Sequence, residues 1–188
     1  MTAPILRDFP HRFESERLLI RCPLPGDGAQ LRGRVLEAQE HLIPWMPWAV
    51  EVNSEEAYEE MVRQKHLDYL ARKDMQLLLF LKDSDTLIGS SGLHRIDWSV
   101  PKFEIGYWIH PDFEGQGYVT EAVLAITEFA FETLEAKRVE IRCDARNVRS
   151  AAVAERAGYA LEGTLRHEAR DHLTNGLRDT HIFALVRQ

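Results

Sequence analysis

The chain has 188 residues, 45% of them apolar and 28% charged, with a formal net charge of −7. That length carries one domain with its own core, the composition excludes a disordered chain, and the acidic balance argues against direct nucleic-acid binding through a basic face. Cys22 and Cys143 make neither a disulfide framework nor a metal-ligand spacing, which favours a reducing, cytoplasmic setting.

The opening residues, MTAPILRDFPHRFE, lack a signal-peptide apolar stretch, and no run of about eighteen apolar residues is present to span a membrane. Arg12 to Pro23 reads as a first strand, with Leu18, Ile20 and Cys22 on one face and Leu19 and Arg21 on the other. After the LPGDG turn, Ala29 to Gln39 suits a short helix. Leu42 to Ala49, LIPWMPWA, is too rich in proline for a long helix, and its rings suit either core packing or a substrate pocket. Ser54 is placed to cap a helix running to about Arg72, with Tyr58, Met61, Val62 and Tyr69 inward and Glu55, Glu56, Glu59 and Glu60 on a solvated face. MQLLLFLK and TLIGSSGLHRI follow as neighbouring strands around DSD, and Phe103 to His110 is another strand, closed by Pro111. From Gly117 to Leu134 the apolar spacing turns helical through Val119, Ala122, Val123, Ile126 and Ala130. Arg138 to Cys143 is a strand, Asn147 to Gly158 a short helix capped by its first residue and ended by its last, and the rest two antiparallel strands around TNG. The order β-α-α-β-β-β-α-β-α-β-β describes a single-domain α/β (α+β) layer fold.

The stretch HPDFEGQGYVTEA, His110 to Ala122, places two glycines between a strand and a helix. The first turn of a helix carries unpaired N–H groups at the positive end of its dipole, and glycines at 115 and 117 leave them open to an anion. Two nucleotide signatures are excluded. No lysine followed by serine or threonine stands after Gly117, as a P-loop requires, and the third glycine of a dinucleotide fingerprint is absent. On these residues alone, an anion cradle and a plain turn into a helix both remain open.

The run FEIGYWIHPDFEGQGYVTEA, followed by RVEIRCDARNVRSAAVAERAGYALEGTLR, resembles the GNAT superfamily of acetyl-CoA-dependent N-acetyltransferases, in particular its RimJ/RimL branch, which acetylates N-terminal amines of ribosomal proteins. The PWMPWA segment and the LIGSSGL strand fit the same branch, and the resemblance covers roughly Phe13 to Val186. It implies a mixed, mostly antiparallel sheet of about seven strands, splayed between the strand at 103–110 and the strand at 138–143 to admit the cofactor. The family's pyrophosphate loop, [Gln/Arg]-x-x-Gly-x-[Gly/Ala], falls on Glu114-Gly115-Gln116-Gly117-Tyr118-Val119, matching at Gly117 and departing at Glu114 and Val119. By resemblance, acetyl-CoA is the cosubstrate, bound by Gly115 to Val119, Thr120, the backbone of Trp108, Ile109 and His110, Asn147, and Ser150 near the thioester sulfur. Trp45, Trp48, His94 and Tyr107 are expected around the acceptor.

The reaction is attack of a neutral amine on a thioester. An α-amino group, with pKa about 7.7–8.0, is roughly one quarter neutral near pH 7.4, whereas a lysine at about 10.4 is about 0.1% neutral, so an N-terminal acceptor demands less of a base. A backbone N–H on the Trp108 strand is expected at the oxyanion and the Ser150 hydroxyl at the leaving thiolate. Glu104 is the first candidate base and Glu168 the second, with His94 and Tyr107 behind them. His167 and His172 stand five apart rather than at the helical spacing of a zinc site, Cys143 reads as a small core residue, and no metal is expected. Three functions stay open: acetylation of a protein N-terminus, acetylation of a small amine (antibiotic, polyamine or amino acid derivative), and a non-catalytic acyl-CoA-binding module. A homodimer is also left open.

Overall fold

The structure is a computed structural model that describes residues 3–187. In chain order it holds β1 (Arg12–Glu14), β2 (Leu18–Arg21), α1 (Gly28–Glu37), α2 (Gln39–Leu42), α3 (Glu55–Leu70), β3 (Met75–Leu81), β4 (Leu87–Asp97), β5 (Lys102–Ile109), α4 (Tyr118–Glu132), β6 (Arg138–Asp144), α5 (Val148–Arg156), β7 (Ala160–Arg170) and β8 (Leu177–Val186). Eight strands make one sheet in the order β1-β2-β3-β4-β5-β6-β8-β7. Every neighbouring pair is antiparallel except β5 and β6, which run parallel because α4 carries the chain across between them.

The count exceeds the expected seven because the first strand is two. Ser15 reverses the chain: its N–H donates to the Leu18 carbonyl, its hydroxyl accepts from the Leu18 N–H, and the same hydroxyl donates to the Glu121 carboxylate at 2.6 Å. The caps follow the side-chain chemistry. The Ser54 hydroxyl accepts from Ala57 N–H at the start of α3, and the Asn147 carbonyl oxygen accepts from Ser150 N–H at the start of α5. Glu59 departs from the solvated face expected of it, since its carboxylate accepts from the Gly26 and Gly28 N–H groups and ties α3 to the start of α1.

Both faces of the sheet are covered. On β3 the continuous apolar run divides by the two-residue period. Leu77 and Leu79 face α4 and join Phe103, Ile105, Val123, Ile126, Val139 and Phe183, while Leu78 and Phe80 face α1 and α3 and join Leu31, Val35, Val62 and Trp108. Each fully buried Leu, Ile or Phe contributes about 1.5–3 kcal/mol, which holds the two layers on the sheet.

The sheet opens between β5 and β6. β5 pairs with β6 only from Lys102↔Arg138 to Ile105↔Ile141, yet β5 continues paired with β4 as far as Ile109↔Gly89, and β6 stays paired with β8 to Asp144↔Thr180. From Gly106 onward the two parallel strands part, as the resemblance implies.

Candidate active site

The cradle starts where β5 ends. His110 and a 3₁₀ turn over Pro111–Phe113 lead to Gly115 and Gly117, whose φ values of +69° and +83° lie in the left-handed region that glycine enters at little cost. Gly117 then caps α4 with no side chain over the first-turn N–H groups. The loop is fixed from the β1–β2 turn. Arg17 donates to the Gln116 carbonyl at 3.0 Å, pairs with Glu121 at 2.7 Å, and lies 4.2 Å over the Tyr118 ring. The Gln116 side chain turns back to the Asp112 carbonyl at 2.9 Å, so this residue offers a ligand its backbone rather than its amide. A groove of about 640 Å³ opens above the loop, lined by Gly115, Gly117, Tyr118, Val119 and Thr120 on one side and by Arg149, Val153 and Arg156 of α5 on the other.

Glu114 does not point its charge into this groove unmatched. Its carboxylate lies 2.9 Å from His41 Nε2 and 3.0 Å from Arg149 Nη1, joining α2 to α5. Val119 is half-buried against the core and also faces the narrower passage leading inward, which His41, Trp45, Tyr107, Asn147 and Ser150 line as well. The His110 ring is buried away from these cavities. Its Nδ1 accepts from Asp112 N–H, and its Nε2 lies 3.3 Å from Glu37 without hydrogen-bond alignment. Only its backbone, at the strand end, is placed for the expected contact.

At the opening between β5 and β6, Tyr107 reaches across to α5. Its hydroxyl stands 3.0 Å from the Ser150 hydroxyl and donates to the Ser150 carbonyl at 3.0 Å. Burial pushes the Tyr107 phenol far above its ordinary value, so it stays protonated and acts as a donor. Cys143 lines the neighbouring cavity with its thiol also raised by burial, the opposite of an activated nucleophile.

Two cavities meet at Gly106 and Tyr107. One, of about 280 Å³, holds Glu104, Glu168, Ser150, Asn147 and Trp45. The other, of about 610 Å³, holds His94, Trp48, Trp108, Ser91 and Tyr58. Trp48 packs 6.2 Å from Trp108, so the proline-tryptophan segment forms a cavity wall and borders the core at once. Burial raises the Glu104 carboxyl, against the opposing pull of Arg95 and Arg142; Arg95 Nη1 lies 3.4 Å away. Glu168 has both oxygens engaged, accepting from Arg142 at 2.7 Å and from the Thr180 hydroxyl at 2.9 Å. The structure therefore gathers Glu104, Tyr107, Ser150, Asn147 and the tryptophans around one opening and leaves the His110 ring apart. Sequence reasoning missed Arg149 and Arg156, although their spacing of two helical turns, with Val153 between, marks one face of α5. It also missed Asp74, which only the folded chain brings to His94. Among the described residues, no group of three or more His, Cys, Asp or Glu is placed to hold a metal.

A split parallel pair with a glycine-opened helix N-terminus beside it and paired hydroxyls within it can hold an acyl thioester. The chain belongs to the acetyltransferase (GNAT) domain family, which matches residues 17–160. It is an acetyl-CoA-dependent N-acetyltransferase, with acetyl-CoA as its cosubstrate. Among its relatives, "Putative ribosomal N-acetyltransferase YdaF" of Bacillus subtilis is 34% identical over 93% of both chains. The ribosomal-protein-serine acetyltransferase of Escherichia coli is 29% identical over 74% of this chain and 75% of its own. Among solved structures, the microcin C7 self-immunity acetyltransferase MccE, in complex with acetyl-CoA and AMP, superposes with a TM-score of 0.85 at 25% identity, covering 95% of this chain and 98% of that one.

Proposed function

We propose that the acceptor is the α-amino terminus of a protein, of the ribosomal-protein serine or alanine type, acetylated in the cytoplasm. The observation that carries this reading is the near full-length similarity to a relative named for ribosomal N-acetylation. The net charge of −7 supports it, since it suits a basic protein partner. The acceptor enters past Trp45 and Trp48 and meets the opening at Gly106 and Tyr107.

The cosubstrate supplies an acetyl group already activated as a thioester. The N–H groups at Gly117 to Thr120 would receive its phosphates, with Arg149 and Arg156 alongside, and the edge of β5 that β6 leaves open, continuing to His110, would hold its arm. Asn147 fixes the first turn of α5, which presents Ser150 with Tyr107 behind it as proton donors to the departing sulfur. Glu104, raised by burial, receives a proton from the acceptor ammonium, directly or through a water. Glu168 holds Arg142 in place beside it.

A second reading, acetylation of a small amine, is favoured by the likeness to MccE, whose complex holds AMP. A panel of peptides with free N-terminal serine or alanine, the same peptides blocked, and small amines separates the two. The proposed function predicts amine-dependent release of free thiol from acetyl-CoA with the free peptides. Turnover confined to small amines overturns it.

A further inference from the structure

Gly92 on β4 and Gly106 on β5 are cross-strand partners. Their missing side chains make a floor on which the His94 ring lies. A Cβ at Gly92 would come within 2.8 Å of the ring's Cε1 and Nε2, and one at Gly106 would stand 3.5 Å from Cδ2 and 3.8 Å from Nε2. His94 Nδ1 is 2.8 Å from Asp74 Oδ2, while the other Asp74 oxygen takes Lys65 Nζ at 3.1 Å. A carboxylate only accepts, so Nδ1 carries a proton, and whenever the ring is neutral its lone pair is on Nε2. Burial opposes the Asp74 charge, but the bond and charge from His94, with Lys65, outweigh it and hold this carboxyl below its ordinary value. No described residue hydrogen-bonds Nε2, and His94 lines the cavity shared with Trp48, Ser91 and Tyr107. Gly106, beside Nε2, is the first β5 residue beyond the last β5–β6 pair. The lone pair therefore sits where the strands part. Glu104, paired with His94 across the strands, faces from the same side of the sheet.

We propose that His94, oriented by Asp74, is a second proton acceptor for the incoming amine, working beside Glu104, with Asp74 as its positioning residue. The proposal rests on the acetyltransferase reading of the site. The acceptor ammonium loses one proton to Nε2. Its nitrogen forms the bond to the acetyl carbonyl carbon, and the carbon–sulfur bond breaks with its electron pair on sulfur. The second nitrogen proton passes to Glu104 as the amide forms, the Ser150 hydroxyl gives its proton to sulfur and regains one from water, and His94 and Glu104 return theirs to water. The titratable and charged groups facing His94 are Asp74 from the segment before β3, Lys65 and Tyr58 from α3, Glu104 and Tyr107 from β5, and Arg95 from β4. Of these, Asp74 holds the ring directly.

The test is the pH dependence of kcat/KM for the acceptor in the wild type, His94→Gln, Asp74→Asn and Glu104→Gln, with acetyl-CoA affinity and thermal midpoint measured on each. His94→Gln is expected to lower kcat about tenfold or more while leaving acetyl-CoA affinity unchanged. Asp74→Asn removes the acceptor that fixes the Nδ1–H, so the plateau of kcat/KM for the acceptor should fall several-fold with acetyl-CoA affinity unchanged. If the Asp74→Asn profile superimposes on the wild type and His94→Gln stays within twofold, the pair has no part in proton transfer. Should His94→Gln lose its fold, His94→Asn carries the same comparison. Absence of wild-type turnover with every amine would instead overturn the proposed function, a distinguishable failure.

Discussion

Tyr107 connects the two halves of the site, lining both acceptor-side cavities while its hydroxyl meets Ser150 at 3.0 Å. Replacing Ser150 with alanine is expected to lower kcat about tenfold or more with little change in KM for acetyl-CoA, read from steady-state kinetics. Burial raises the Glu104 carboxyl above its ordinary value, and as the proposed base it acts deprotonated. Activity should therefore fall as pH drops through that raised value, and Glu104→Gln should lower turnover between pH 6 and 9. Unchanged turnover across that range would remove Glu104 from the mechanism. Glu114 is, with Val119, one of two positions at which the loop departs from the family pattern, and its pairing with His41 and Arg149 explains how an anion is tolerated there. Glu114→Gln frees Arg149 toward the groove, so acetyl-CoA should bind a few-fold tighter at low salt, with the gain shrinking as salt rises, by calorimetry. The placement of Glu104, Asn147 and Ser150 around the opening, and of Gly117 in the loop, was legible because short motifs carry them. Asp74 and Arg149 act through partners distant in sequence, and no local pattern in the chain points to those contacts.

At the level of elements, the junction of β5 and α4 carries the most consequence. Gly117 adopts φ +83° and a Cβ there would meet only Arg17 Nη2 at 3.5 Å, so backbone strain rather than space opposes a side chain. Gly117→Ala should cost about 1–2 kcal/mol in stability and weaken acetyl-CoA binding, measured by denaturant unfolding and calorimetry. An unchanged midpoint would contradict the left-handed assignment. Helices α3, α4 and α5 were legible because Ser54, Gly117 and Asn147 mark their starts and the apolar spacing marks their inner faces. The division of the first strand was not, because a three-residue strand has too few positions to show its period and the reversal depends on the Ser15 side chain.

Across the whole molecule, the open end of β6 and the last hairpin are held by charge. Arg146 donates to Asp144 and to Asp171, each at 2.6 Å, and Asp171 also accepts from the Leu173 and Thr174 N–H groups. The Arg146 guanidinium is the main cause holding both carboxyls below their ordinary value. Such groups stabilise the fold fully above the unfolded carboxyl pKa of about 3.9 and lose that contribution as pH falls through the depressed folded values. The thermal midpoint should accordingly hold steady above about pH 5 and drop below about pH 4, with a smaller acid-dependent loss in Arg146→Met. The topology and the family were legible because the order of elements and the loop motif agree. The acceptor was not, because the cavities that receive it are assembled from α1, α3, the tryptophan segment and the last hairpin, elements far apart in sequence. The most direct measurement is mass spectrometry of a peptide with a free N-terminal serine after incubation with the protein and acetyl-CoA. A single acetyl group on the α-nitrogen is the predicted result, and peptides recovered unmodified, free N-terminal serine and alanine alike, would contradict it.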